Sequence, residues 1–91
     1  MGDFMKLILY SKPGCHLCEG LQEKLEQVEN PQISLEIRDI TTRDDWFAAY
    51  QYAIPVLVQE TSPGEQVRLP RPSPGISVER LARMLREYEQ G

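Results

Sequence analysis

The only two cysteines of this 91-residue chain, Cys15 and Cys18, stand three apart where one apolar pattern stops and another starts. Upstream, Met5-Lys6-Leu7-Ile8-Leu9-Tyr10 is a short, nearly continuous apolar run, which predicts a buried strand. Ser11-Lys12-Pro13-Gly14 has the composition of a turn, and Leu17, Leu21, Leu25 and Val28 then recur at helical spacing. The dithiol therefore falls on the first turn of a helix that follows directly from a strand. Unpaired N–H groups and the positive end of the helix dipole favour a thiolate at that place. A Cys-x-x-Cys in such a setting points to thiol–disulfide exchange.

The rest of the chain continues the alternation of strand and helix. Asn30-Pro31 ends the first helix, and Ile33, Leu35 and Ile37 then alternate with Ser34, Glu36 and Arg38, the period of a strand with one buried face. Thr41 or Thr42 is placed to cap a short second helix, with Asp44 and Asp45 in its first turn and Trp46, Phe47 and Tyr50 as its apolar side. Pro55-Val56-Leu57-Val58 reads as a central strand, Ser62-Pro63-Gly64 as a turn, and Gln66-Val67-Arg68-Leu69 as a hairpin partner. Beyond a proline-rich loop, Ser77 is the expected cap of a last helix carrying Val78, Leu81, Ala82, Leu85 and Tyr88 on one stripe. The order is β-α-β-α-β-β-α over one domain, residues 1–91. Its first β-α-β places two parallel strands about a crossing helix, and its later hairpin is antiparallel. With a Cys-x-x-Cys opening the first helix, that order is the thioredoxin-fold arrangement: a four-stranded mixed sheet flanked by helices.

Composition narrows the setting of this chemistry. An apolar fraction of 41% and a charged fraction of 26% belong to an ordinary globular chain. No apolar run approaches the roughly 20 residues of a membrane helix, and Lys12 and Pro13 interrupt the one apolar stretch near the N-terminus, so neither a membrane span nor a signal peptide is expected. The net charge of −4 argues against a nucleic-acid partner. The expected location is cytoplasmic, where a lone cysteine pair is catalytic rather than a static staple. Either Met1 or Met5 serves as the start. A monomer is expected.

Cys15 lies nearest the open helix end, with Cys18 one turn inward, so Cys15 is the candidate nucleophile and Cys18 the resolving thiol. Lys12 and His16 are candidate tuning groups: each places positive charge near the thiolate, His16 as an imidazolium between the two cysteines. A zinc site needs ligands beyond Cys15, Cys18 and His16, the chain's only cysteines and histidine, so a metal in a monomer is not expected. Covalent haem attachment fails because Glu19, not histidine, follows Cys18. On the residues alone, Pro55 is a trans proline opening a strand.

The segment Leu9-Tyr10-Ser11-Lys12-Pro13-Gly14-Cys15-His16-Leu17-Cys18 resembles the active-site segment of glutaredoxins, and more closely that of small bacterial glutaredoxin-like domain proteins. Ile54-Pro55-Val56 falls where that superfamily carries a cis proline facing the dithiol. The resemblance implies a thioredoxin fold, a cis Pro55 whose neighbouring backbone at Ile54 pairs with substrate, and a Lys12 that matches the lysine holding a glutathione carboxylate. It also implies a thiol–disulfide oxidoreductase with no permanent cofactor, acting on a disulfide-bearing protein or a small thiol and recharged by a separate reductant. Two departures separate the chain from glutathione-dependent members. His16 stands where proline is usual, and Pro70-Arg71-Pro72-Ser73-Pro74-Gly75-Ile76-Ser77 has one glycine and no acid where the family carries a glycine pair and then acids. Alternative readings are a glutathione-dependent glutaredoxin, an iron–sulfur-bridged dimer, and a redox-inert binding module. Pro70, Pro72 and Pro74 otherwise read as a rigid loop, Arg80, Arg83 and Arg86 as a solvated helix face, and Trp46, Phe47, Tyr50 and Tyr52 mostly as core.

Overall fold

Strands and helices alternate along residues 4–89, the part of the chain that the computed structural model describes. Strand β1 (Met5–Ser11) leads into helix α1 (His16–Gln27) and strand β2 (Ile33–Asp39). A 3-10 turn (Ile40–Thr42) and helix α2 (Asp44–Tyr50) follow, then strands β3 (Val56–Ser62) and β4 (Glu65–Arg68) and helix α3 (Val78–Glu89). The strands make one sheet in the order β2-β1-β3-β4. β1 is parallel to β2 and antiparallel to β3, and β3 is antiparallel to β4. This is the mixed four-stranded sheet expected from the element order.

The continuous apolar character of β1 has a simple cause: both of its faces are covered. Successive side chains of a strand point to opposite sides. Leu7 and Leu9 accordingly join Leu21, Leu25, Leu57, Leu81 and Leu85 on the α1–α3 side. Ile8 and Tyr10 join Ile40, Val56 and Val58 on the α2 side. Edge strand β2 is only half covered. Ile33 and Leu35 pack partly against the first cluster, whereas Ile37 is exposed, so the buried face anticipated for this strand stops short of its end.

The helices differ from expectation in two places. In α1 the buried stripe is Cys18, Leu21, Leu25 and then Val28, and Leu17 stands outside it with 47% of its surface exposed. The sulfur of Cys18 fills the place that the leucine pattern assigned to Leu17. Neither Thr41 nor Thr42 caps α2. The Asp39 carboxylate accepts from the Thr41 N–H at 2.9 Å and its hydroxyl at 2.6 Å, and the Thr42 hydroxyl donates to the Asp39 carbonyl at 2.6 Å. Both threonines are thereby used up in the turn, and α2 starts after Arg43 with no side-chain cap.

The hairpin and the last helix follow local chemistry. Gly64, at φ 84°, supplies the left-handed residue that the turn after Pro63 requires. Leu69 lies one residue past β4, yet it is buried and its N–H donates to the Leu57 carbonyl at 2.9 Å. Ser77 caps α3 as expected, its hydroxyl oxygen accepting from the Arg80 N–H at 3.1 Å. Arg80, Arg83 and Arg86 are exposed, and Arg86 donates to the Asn30 carbonyl at 2.8 Å, tying α3 to the loop that follows α1. Among the described residues, no helix is long and apolar enough to cross a membrane.

Candidate functional site

Strand register brings the cysteines and Pro55 to one end of the sheet. Tyr10 pairs with Val56, so Pro55 comes level with Ser11, where the chain leaves β1 for the turn to Cys15. On the other side Ser11 pairs with Asp39, which carries the end of β2 to the same level. Gly14, at φ 82°, allows the reversal between strand and helix, and the Cys15 N–H donates to the Lys12 carbonyl at 3.3 Å to close it.

Cys15 is the N-cap residue of α1. Its Sγ accepts from the Cys18 N–H at 3.2 Å, so sulfur occupies the place that a serine or aspartate oxygen takes at other helix starts. A charge on that sulfur meets both an N–H dipole and the positive end of a 12-residue helix. The two cysteines are joined as a disulfide, with Cα atoms 5.3 Å apart, inside the range that a disulfide spans without backbone movement. Their exposure differs sharply: Cys18 is 2% exposed, whereas Cys15 is only partly covered.

The expected tuning groups are at the surface. Lys12 is exposed on the turn, beside a depression that Cys18, Glu19 and Asp39 also line. The His16 side chain is almost wholly exposed, with Nδ1 3.8 Å from a Glu19 carboxylate oxygen. Glu19 stands one helical turn on from His16, the i,i+3 spacing at which side chains on one helix face meet. It sets a negative charge beside the imidazole and works against any positive field at Cys15.

Around Pro55 the structure adds contacts that local pattern does not reveal. The Ile54–Pro55 bond is cis, as the resemblance implied, and Pro55 lines a cleft together with His16 and Leu17 from the first turn of α1. Both backbone groups of Ile54 have partners: its N–H donates to the Tyr50 carbonyl at 3.2 Å, and its carbonyl accepts from Arg71 at 3.2 Å. The Ile54 carbonyl keeps a second lone pair beside the one that Arg71 engages. Lys24 donates to the Pro74 carbonyl at 2.6 Å and tethers the proline-rich loop to α1. Lys24 and Pro74 are 50 positions apart, so no sequence window contains both. Of the aromatic residues near this end, Trp46 and Tyr50 are packed against Tyr10, whereas Tyr52 is 94% exposed and is not core. Among the described residues, no group of three or more His, Cys, Asp or Glu is placed to hold a metal ion.

Comparison with known proteins agrees with this geometry. The family model described as "Glutaredoxin-like domain (DUF836)" matches residues 6–86. The chain belongs to the glutaredoxin-like domain family. No curated protein matches it. Among solved structures, the domain is similar to XcR50 of X. campestris, a Northeast Structural Genomics target, at 26% identity, covering 89% of this chain and 96% of that one with a TM-score of 0.60. It is also similar to thioredoxin 1 of the thermophilic eubacterium Thermosipho africanus, at 17% identity, 94% and 96% coverage and a TM-score of 0.63. A malarial protein superposes at 11% identity, 96% and 99% coverage and a TM-score of 0.65. The last two likenesses show the fold alone. The glutaredoxin-like domain has a thioredoxin-like fold, with its Cys-x-x-Cys at the start of the first helix.

Proposed function

We propose that this protein is a thiol–disulfide oxidoreductase of the cytoplasm in which Cys15 is the nucleophile and Cys18 the resolving thiol. The observation that carries this reading is the Cys15 sulfur at the N-cap of α1, accessible and hydrogen-bonded by the Cys18 N–H, while Cys18 lies buried behind it. In the reduced protein the Cys15 thiolate attacks one sulfur of a substrate disulfide. The substrate S–S bond breaks, and the departing thiolate takes a proton from solvent. Cys18 then loses its proton and attacks Cys15 Sγ, closing the Cys15–Cys18 disulfide and releasing the second substrate thiol. Two electrons pass from protein to substrate, and an external thiol reductant returns them. No permanent cofactor enters this cycle. Lys12 and His16 act on the thiolate from the surface, His16 the more weakly because Glu19 offsets its charge, and the backbone beside Pro55 receives the substrate chain.

A protein disulfide suits this site better than a glutathione adduct. Pro72 and Pro74 have no N–H to offer a tripeptide, and Lys24 already engages the Pro74 carbonyl. Lys12 is a flexible point charge, and among the described residues lining the cleft beside Pro55 no Asp or Glu is present to receive the ammonium group of the tripeptide. The assignment is tested by trapping. The Cys18→Ser variant should accumulate a mixed disulfide through Cys15 with intact, disulfide-bonded insulin, and wild type should reduce insulin faster than a glutathione mixed disulfide. Trapping through position 18 in a Cys15→Ser variant, with none through Cys15, would reverse the roles. Saturable, efficient turnover of the glutathione adduct would restore glutathione as the substrate.

A further inference from the structure

The geometry points to a substrate preference built into the cleft beside the dithiol: protein segments in which the target cysteine is flanked by an apolar side chain and a carboxylate. This rests on the thiol–disulfide exchange assigned above. The cleft lies between the first three turns of α1 and the proline-rich loop and has a volume of about 130 Å³. A dry apolar cavity of about 150 Å³ takes a benzene-sized group, so this one suits a single leucine, methionine or phenylalanine side chain. Its apolar walls are Leu17, Leu21, Pro72 and Ile76. Leu17 is the telling member. It is a large aliphatic residue left nearly half exposed, one residue before the buried Cys18, and a side chain entering the cleft would cover it.

The charge of the cleft is opposite to that of the chain. The whole sequence carries −4, yet no Asp or Glu is among the described residues lining this cleft or the more open depression that adjoins it at Pro55 and Arg71. Lys24, Arg68 and Arg71 line them instead, and among the described residues none of the three is in an ion pair. Lys24 and Arg71 donate to backbone carbonyls, which leaves their charge unneutralised. The bond to Ile54 occupies one of the five N–H donors of Arg71. A guanidinium held beside the peptide-docking backbone is suited to a substrate carboxylate. The depression on the opposite side of the dithiol has mixed sign, with Lys12 facing Glu19 and Asp39, and offers no such selection.

The test uses the Cys18→Ser protein and short peptides whose single cysteine is activated as a 2-thiopyridyl disulfide. Attack by Cys15 expels pyridine-2-thione and leaves the peptide on Cys15, so the colour change gives a second-order rate. Three peptides differ only beside the cysteine: leucine with glutamate, glycine with glutamate, and leucine with lysine. Each rate is expressed relative to the same protein's rate with neutral dipyridyl disulfide. The leucine–glutamate peptide should react about 10-fold faster than the glycine peptide, the scale of discrimination by a small apolar pocket. It should react about three-fold faster than the lysine peptide, with this second ratio shrinking as salt is added. Leu17→Ser should erase the first ratio, while Arg71→Gln should erase the second and Arg71→Lys restore part of it. Equal rates for all three peptides, with Cys15 reactive towards dipyridyl disulfide, would overturn the preference and leave the exchange reaction standing. A Cys15 that reacts with none of the probes would overturn both.

Discussion

The two faces of the sheet are built on different principles, although the same two strands supply both. On the α1–α3 side the contacts are aliphatic, with Leu7, Leu9, Leu25, Leu57, Leu81 and Leu85 almost wholly removed from water. On the α2 side the core is smaller, and aromatic and charged groups finish it. Tyr10 stacks on Tyr50 at 4.3 Å between ring centres and meets Trp46 edge-on at 5.8 Å. Arg38 lies over the rings of both Tyr10 and Trp46, at 5.6 and 5.2 Å, and Arg43 lies over Trp46 at 5.1 Å. The first face is held by removal of surface from water, which is non-directional and scales with area. The second depends on directional contacts that are individually weak where solvent reaches them. Helix α1, which carries the dithiol, is anchored to the first kind of face, so the reactive end rests on the less adjustable half of the molecule.

The sharpest way to break this contrast is to open a cavity on the aliphatic face. Leu85→Ala removes three packed side-chain carbons at a position with no exposure and should cost about 2–5 kcal/mol, read as a drop in the urea midpoint. On the other face, Tyr10→Phe removes the hydroxyl that accepts from Arg38 at 2.9 Å and keeps the ring. Its cost should be about 1 kcal/mol. If the two variants lost equal stability, the division of labour would be wrong.

A finer distinction is available in alkali. Burial raises the Tyr50 hydroxyl above its ordinary pKa, with Tyr10 beside it adding to the effect. The native state therefore holds that proton more tightly than the unfolded chain. The resulting stability is fully present below about pH 10, the ordinary tyrosine value, and is lost as pH rises through the higher native one. Tyr50→Phe should flatten the alkaline fall of the urea midpoint, whereas Leu85→Ala should shift the curve downwards without changing its alkaline slope.

The smallest effect lies at the outer edge of the aromatic face. Arg43 forks onto the Asp45 carboxylate at 2.9 and 3.2 Å and holds its pKa below the ordinary carboxylate value. Its stabilisation is present above the unfolded-state pKa and lost as pH falls through the lower native one. Both groups are in solvent, so Asp45→Asn should barely move stability at neutral pH and should reduce the acid-side loss only slightly. A large acid-side change would mean that Arg43 carries more of the Trp46 packing than its exposure suggests.

Much of this architecture is legible from residue pattern, because short-range chemistry decides it. The period-two split of β1, the stripe of α3, the Ser77 cap and the Pro63–Gly64 turn each depend on neighbours a few positions away. Local chemistry also misleads where two local options compete. Thr41 and Thr42 are good caps in isolation, but Asp39 reaches them first and draws them into a turn. Leu17 fits the helical repeat, but β1 and α3 face the helix along the line of Cys18 and Leu21, and the leucine is left out.

What the sequence by itself determined was the dithiol and its frame: a strand, a glycine turn and a helix whose first turn carries both thiols. Helix geometry alone sets which cysteine is at the open end. Only the tertiary structure decided what surrounds that end. Register between β1 and β3 brings Pro55 level with Ser11, Arg71 reaches the carbonyl of Ile54, and Lys24 crosses to Pro74. These pairings join residues 17 to 50 positions apart, and they form because the packed layers bring distant loops together at one end of the sheet. No local propensity encodes such a meeting, since neither partner of each pair affects the conformation of the other until the core has closed.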